Sequence, residues 1–307
     1  MNPLSKFADP ATRPSWLGPL LLLLGGICIG FAPIGLRFGL DDLGPQAIAF
    51  WRYLFAIPLL FLLVVAVQRR GPAKPNMFIV IAGTCFAVDI ALWHWALSLT
   101  TVANSTFIVN LGNIGVGLTA WVFLKERPTP IWGLAVLIAL IGAGALSLGG
   151  GAESKGDLRG DILALGAAIM VSFYLVGAKV ARRTLNGLDA IFWLTVVEMV
   201  VAGVIVLLAQ ESFLPERWQG FLIPLFLALV VQIMGQGLII TGLGFTPTAI
   251  AGVLILVQPV VAAAISWRLF DEPLAPLQAG GAVLILIGIV ISQRKPRSEP
   301  ADSPSET

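Results

Sequence analysis

The sequence predicts an all-α polytopic membrane protein, with ten transmembrane helices arranged as two inverted five-helix repeats. Three observations predict it. Of the 307 residues, 57% are hydrophobic and only 12% are charged, with a mean hydropathy of +0.92. A soluble domain carries roughly 25% charged residues. Apolar runs recur at a length that crosses a bilayer, and two nearly equal shifts lay one half of the chain on the other. This composition excludes a soluble enzyme, a nucleic-acid binder and a disulfide-rich scaffold as whole-chain readings.

A span needs about 20 mostly apolar residues to cross roughly 30 Å of hydrocarbon. By that measure the spans run over 16–37, 46–67, 76–97, 101–124, 130–149, 161–182, 188–209, 220–243, 247–270 and 276–292. Helices are required because lipid offers backbone groups no partner. A β-barrel would alternate in polarity, and the run Leu20–Leu24 does not. Lys6 and Arg13 precede a Leu-rich stretch that resembles a signal peptide. That stretch is too long and lacks a clear small-residue cleavage site, so it is expected to be the uncleaved first span. Short breaks such as Asp41–Pro45, Arg69–Pro72 and Arg127–Pro130 leave no room for an extramembrane domain. The Gly-rich, charged stretch 149–160 divides the chain, giving a first repeat over 1–150 and a second over 151–295. Residues 296–307 are expected to be a disordered cytoplasmic tail.

Basic residues set the orientation. With the N-terminus inside, the cytoplasmic side holds Lys6, Arg13, Arg69, Arg70, Lys74, Lys125, Arg127, Lys179, Arg182, Arg183, Arg294, Lys295 and Arg297. The other side holds Arg37, Lys155, Arg159, Arg217 and Arg268, and Arg52 lies within a span. The imbalance predicts both termini in the cytoplasm.

A shift of 142 places Phe50 and Trp51 on Phe192 and Trp193, Gly18 on Gly160, Phe31 on Phe173, Gly35 on Gly177 and Leu43 on Leu185. A shift of 146 places Thr100 on Thr246, Ala103 on Ala249, Trp121 on Trp267, Glu126 on Glu272 and Gly142 on Gly288. Five spans is an odd number, so the second copy enters the membrane from the other side. That is the inverted-repeat plan of secondary transporters, with a site near the midplane between the halves.

The segments Asp89–Leu97, Thr100–Asn104 and Leu124–Arg127 resemble the EamA-type drug/metabolite transporter superfamily. Thr246–Ala251, Gln258 with Pro259, and Asp271–Pro273 resemble its second copy. The resemblance covers nearly the whole chain. It implies a central cavity lined by spans 1–4 and 6–9, with spans 5 and 10 at the periphery. It also implies export, since many bacterial members export amino acids or related metabolites, YddG-like aromatic amino acid exporters among them. Some members carry Pro at the position of Asn113, matching Pro259; this sequence departs there, so the resemblance does not carry a proline hinge over to span 4.

Ionisable groups in mid-span are costly, roughly 2.5–3.5 kcal/mol on insertion scales, and each needs a reason. At 1.5 Å per residue, Asp89 lies about 20 Å into span 3 and Arg52 about 9 Å from the other end of span 2, at nearly one depth. They are expected either to form a structural ion pair or to leave Arg52 as a carboxylate clamp for substrate. Glu198 lies about 15 Å into span 7 with no basic residue expected at that depth. It is read either as a site for an ammonium or a proton, or as a neutral carboxyl hydrogen-bonded to a neighbouring helix. His94 is expected at an interface or the cavity mouth, and Lys179 is expected to snorkel.

Asn110 and Asn113 share one helix face, and Gln232 and Gln236 share another. Gln258 and Tyr174 are mid-span. These polar groups suit either a cavity lining or interhelical hydrogen bonds. Among the nine Trp, Trp16, Trp132 and Trp218 read as interfacial, while Trp51, Trp93, Trp95 and Trp193 are candidate cavity walls or packing residues. Cys28 and Cys85 sit in apolar runs and read as packing residues.

A single His excludes a His-Glu-x-x-His zinc motif, and the chain has no P-loop. No catalytic residue, metal or cofactor is expected. The prediction is a secondary transporter of the bacterial inner membrane that exports amino acids or related small metabolites by alternating access. Its partners would be a small-molecule substrate and the lipid bilayer, with no nucleic acid and an open oligomeric state. Alternatives are efflux of lipophilic cationic drugs and, from another class, an intramembrane enzyme or lipid-handling protein.

Overall fold

The computed structural model describes residues 14–100, 102–148, 157–270 and 275–293. Each predicted span coincides with a helix. These are α1 (Leu17–Gly39), α2 (Pro45–Gln68), α3 (Met77–Leu99), α4 (Val102–Leu124), α5 (Pro130–Leu148), α6 (Leu158–Ala181), α7 (Gly187–Leu208), α8 (Trp218–Leu243), α9 (Thr248–Ile255 and Val257–Phe270) and α10 (Pro276–Ser292). The first nine are long and apolar enough to span a membrane, and α10 is a shorter apolar helix. Among the described residues there is no strand. Most of the dividing stretch 149–160 and the tail assigned to 296–307 fall outside the described residues.

Helix starts follow local chemistry. Pro45, Pro130 and Pro276 open α2, α5 and α10, where no backbone N–H is needed. Asn76, Asp157 and Asn186 cap α3, α6 and α7 by accepting from the N–H groups of Ile79, Arg159 and Asp189.

Two interior breaks fall at prolines, although Pro58 lies within the continuous α2. A proline ring opposes the carbonyl four residues earlier. For Pro33 that residue is Ile29, where the first part of α1 ends before Ala32–Gly39 begins. For Pro259 it is Ile255, where the first part of α9 ends. Asn113 stands in place of such a proline in α4, and that helix is continuous. Helix α8 contains a π-helical stretch, Ala228–Gln236. Such wider turns are frequent at functional sites.

The two repeats interleave. Helix α2 packs mainly on α7, α3 on α6 and α7, α4 on α6, and α1 on α8 and α9. By contrast α2 and α3, neighbours in sequence, meet little. Helices α5 and α10 pair at the periphery. There a Cβ on Gly142 would stand 2.6 Å from the carbonyl oxygen of Gly281, so only glycine admits that approach.

Reciprocal ties join α2 and α7 at both faces. The Trp51 indole N–H donates to the carbonyl of Phe213, in the α7–α8 loop. Its repeat counterpart Trp193 donates to the carbonyl of Ala73, in the α2–α3 loop, at 2.6 Å. Where α2 begins, Glu211 accepts from the N–H groups of Gln46 and Ala47, each at 2.9 Å. Burial pushes the Glu211 carboxyl up from its ordinary value, while those two N–H groups pull it down. Where α7 begins, Asp189 pairs with Arg70 at 2.6 Å and accepts from Ala73 N–H at 3.2 Å.

Candidate functional site

The interleaving brings polar side chains from α2, α3, α6, α7 and α8 into one buried cluster. Arg52, Tyr53, Asp89, Tyr174, Thr195, Glu198, Gln232 and Gln236 are all buried. Glu198 accepts from the Gln232 amide at 2.7 Å, and the same amide nitrogen donates to the Thr195 hydroxyl at 2.9 Å. The Tyr174 hydroxyl donates to Gln236 at 3.2 Å, and its ring lies 4.6 Å from that of Phe86. The π-helical stretch of α8 carries both glutamines; Gln232 bonds to Thr195 and Glu198 of α7, and Gln236 to Tyr174 of α6.

The Arg52 guanidinium donates to the Tyr53 hydroxyl at 2.6 Å and lies 4.5 Å from its ring centroid. The expected Arg52–Asp89 ion pair is not formed: no contact within 4.0 Å joins them. Matched depth is not adjacency, and α2 faces α7 rather than α3. Arg52 instead lies within electrostatic reach of Glu198 and of His94. The expectation that Glu198 has no cation nearby is therefore corrected as well. Asp89 is buried with desolvation as its dominant environment.

The other expected residues divide. His94 is buried beside Trp93, ring centroids 5.5 Å apart, and its Nδ1 has no hydrogen-bond partner. Trp51 and Trp193 spend their indole N–H groups on loop carbonyls, so they tie loops down rather than contribute polar atoms to the cluster. Gln258 is half-buried on α9, and its carbonyl lies against Gly30 of α1. Asn110 is half-buried on α4. The Asn113 side chain lies outside the described residues. Sequence reasoning missed Tyr53 and Thr195. Both were detectable: Tyr53 is one of only two tyrosines, beside the mid-span arginine, and Thr195 precedes Glu198 by one helical turn.

A second constellation lies at the face where α1 begins and α10 ends. Lys179 does not snorkel. Its Nζ, half-buried, donates to the carbonyls of Leu243 at 2.7 Å and Thr246 at 2.6 Å. Arg182 donates to the carbonyls of Ile240 at 3.0 Å and of Leu185. Glu126 accepts from Thr248 N–H at 2.8 Å, and the Trp132 indole donates to the Ala249 carbonyl at 2.9 Å. The α8–α9 turn is thus held from α5, α6 and the α4–α5 loop. At this face the first part of α9 packs chiefly on α4 and also on α1, α5 and α10, and its second part packs on α1, α5 and α10.

Among the described residues no group of three His, Cys, Asp or Glu side chains is placed to hold a metal ion, and both cysteines are free. Ten apolar helices around a buried polar cluster invite comparison with known transporters. The EamA-like transporter family matches residues 16–148 and again 158–293. The chain belongs to that family. It is 24% identical over 253 residues to an uncharacterized transporter, YwfM, of Bacillus subtilis (strain 168), covering 78% of this chain and 81% of the relative. A second transporter of that organism, YetK, is 23% identical over 264 residues, covering 81% and 79%. Human solute carrier family 35 member G1 is 22% identical over 169 residues, covering 52% and 46%. A solved structure described as a crystal structure of a protein superposes with a TM-score of 0.73 at 17% identity, over 90% of this chain and 96% of that one. That likeness concerns the fold. The chain is a multi-pass membrane protein of a transporter family.

Proposed function

We propose that this EamA-like protein is a secondary transporter that exports amino acids, apolar and aromatic ones included, and related small metabolites by alternating access. The observation that carries this is the buried cluster between the repeats, where Arg52 and the hydrogen-bonded Glu198–Gln232 pair lie inside the bundle. Groups so costly in a membrane belong to a pathway. Alternating access is supported by an asymmetry. Helix α4 meets the first part of α9 at the terminal face, and inversion of the repeats supplies the matching contact at the other face in a second state. The excess of Lys and Arg at the terminal face supports a cytoplasmic location for it and for both termini, in a bacterial inner membrane. We read the chain as a transporter and not an enzyme. The cation beside Glu198 weighs against efflux of lipophilic cations.

Uptake of tritiated L-phenylalanine into everted vesicles tests this. Accumulation above that of vesicles lacking the protein is expected, with loss of transport in folded Glu198→Gln protein. Accumulation of ethidium without any amino acid would establish the drug-efflux alternative instead.

A further inference from the structure

We infer that Arg52 on one side and Glu198 with Gln232 on the other are the two ends of a single site for a zwitterion, with the substrate carboxylate on Arg52 and its ammonium between Glu198 and the Gln232 carbonyl. This rests on the amino acid reading above and assigns its site.

The starting point is an unusual arginine. Arg52 is buried, yet among the described residues its only hydrogen-bond partner is a neutral phenol, and its Nε has none. A buried guanidinium without a carboxylate in contact is costly, since desolvation takes several kcal/mol per ion before compensation. Its fork of N–H donors matches a carboxylate. Opposite it, Gln232 directs its amide nitrogen to Glu198 and Thr195, which leaves its carbonyl oxygen buried and without a partner. The glutamine with the spare acceptor is bonded to Glu198, and the arginine with the spare donor lies within electrostatic reach of the same carboxylate. Each unsatisfied group costs about 1–3 kcal/mol. A ligand with an anionic acceptor at one end and a cationic donor at the other satisfies both at once.

Charge accounting points the same way. Arg52 and Glu198 lie within electrostatic reach of each other without a direct hydrogen bond. A zwitterion inserted between them adds no net charge to the membrane interior. A lone amine leaves Arg52 without its anion, and a lone carboxylate sits beside Glu198. Phe86 and Tyr174, in ring contact near Glu198, offer an apolar wall to the side chain.

The experiment uses tritiated L-phenylalanine in proteoliposomes of the full chain, competed with unlabelled phenylalanine, phenethylamine or 3-phenylpropionate. With the unaltered protein, each half-molecule should compete roughly tenfold to a hundredfold more weakly than phenylalanine, the value of one charged hydrogen bond. Arg52→Gln should raise KM for phenylalanine by a similar factor while leaving competition by phenethylamine unchanged. Arg52→Lys should recover part of the loss. Equal competition by phenethylamine and phenylalanine in the unaltered protein would overturn the inference without any variant. So would an unchanged KM in Arg52→Gln. Absence of phenylalanine transport by the unaltered protein would instead sink the amino acid reading beneath it.

Discussion

The crossing of α1 with α9 and the crossing of α6 with α4 are counterparts under the internal repeat, yet they are built differently. Gly26 and Gly30 of α1 lie against Val257, Gln258 and Val261 of α9. Their counterparts at the shift of 142, Ala168 and Ser172 of α6, lie against Gly112 and Gly115 of α4. In the first crossing both helices are interrupted, by Pro33 and Pro259. In the second, Leu175 and Asn113 occupy those places and both helices run through. The Ser172 hydroxyl adds hydrogen bonds to the carbonyls of Gly112 and Ala168, each at 2.9 Å. The crossing thus occurs in an interrupted, compliant version and in a continuous, stiff version. Backbone chemistry at two positions separates them, since a proline removes an N–H and crowds a carbonyl while Asn and Leu do neither.

The largest test of that contrast is to make the stiff crossing resemble the compliant one. Asn113→Pro should interrupt α4 at Val109 and cost about 3 kcal/mol, read as a lowered melting temperature in detergent. An unchanged melting temperature would show that α4 already tolerates the interruption.

A methyl group probes the two crossings directly. At Gly112 it would stand 2.6 Å from the Ala168 carbonyl oxygen, which is backbone and cannot turn aside. At Gly26 it would stand 2.6 Å from a Val257 methyl, which can. Gly112→Ala is therefore expected to cost about 1–3 kcal/mol and Gly26→Ala clearly less. Equal losses in a thermal shift assay would remove the distinction. Ser172→Ala should cost about 0.6 kcal/mol, the average for an interhelical hydrogen bond in a bilayer. A double variant with Gly112→Ala should be non-additive, because both residues share one contact.

The smallest effect lies outside the membrane, where α2 starts. Glu211 has a carboxyl raised from 4.5 by burial. Between that value and its raised folded value, the folded chain holds more protons at this position than the unfolded chain. Its contribution to stability is then fully present below pH 4.5 and declines as pH rises through the folded value. Glu211→Gln should flatten that part of the melting-temperature profile measured from pH 4 to 7. A profile that keeps its slope would assign the effect to another group.

These contrasts mark where sequence reasoning reached and where it stopped. The ten spans were legible because a bilayer core forces about 20 apolar residues per crossing, and hydropathy records that directly. The repeat was legible because both shifts preserve specific residues, from Trp51 and Trp193 to Gly142 and Gly288. For the candidate cluster, depth was legible and partners were not. Residue count along a helix measures height in the membrane, which placed Arg52 and Asp89 at nearly one depth and Glu198 near the middle. It carries no record of which helix stands beside which.

The sequence by itself determined the number of helices, their inverted arrangement and the polar residues that lie deep. The tertiary structure alone decided that α2 faces α7, so that Arg52 bonds to Tyr53 and forms no ion pair with Asp89. It also decided that Trp51 and Trp193 hold loops at opposite faces and that Lys179 turns inward onto the α8–α9 turn. The physical reason is that hydropathy acts on each segment against lipid, one helix at a time. Partners are chosen by close packing between segments far apart in the chain, through glycines and small residues whose mates no local pattern names.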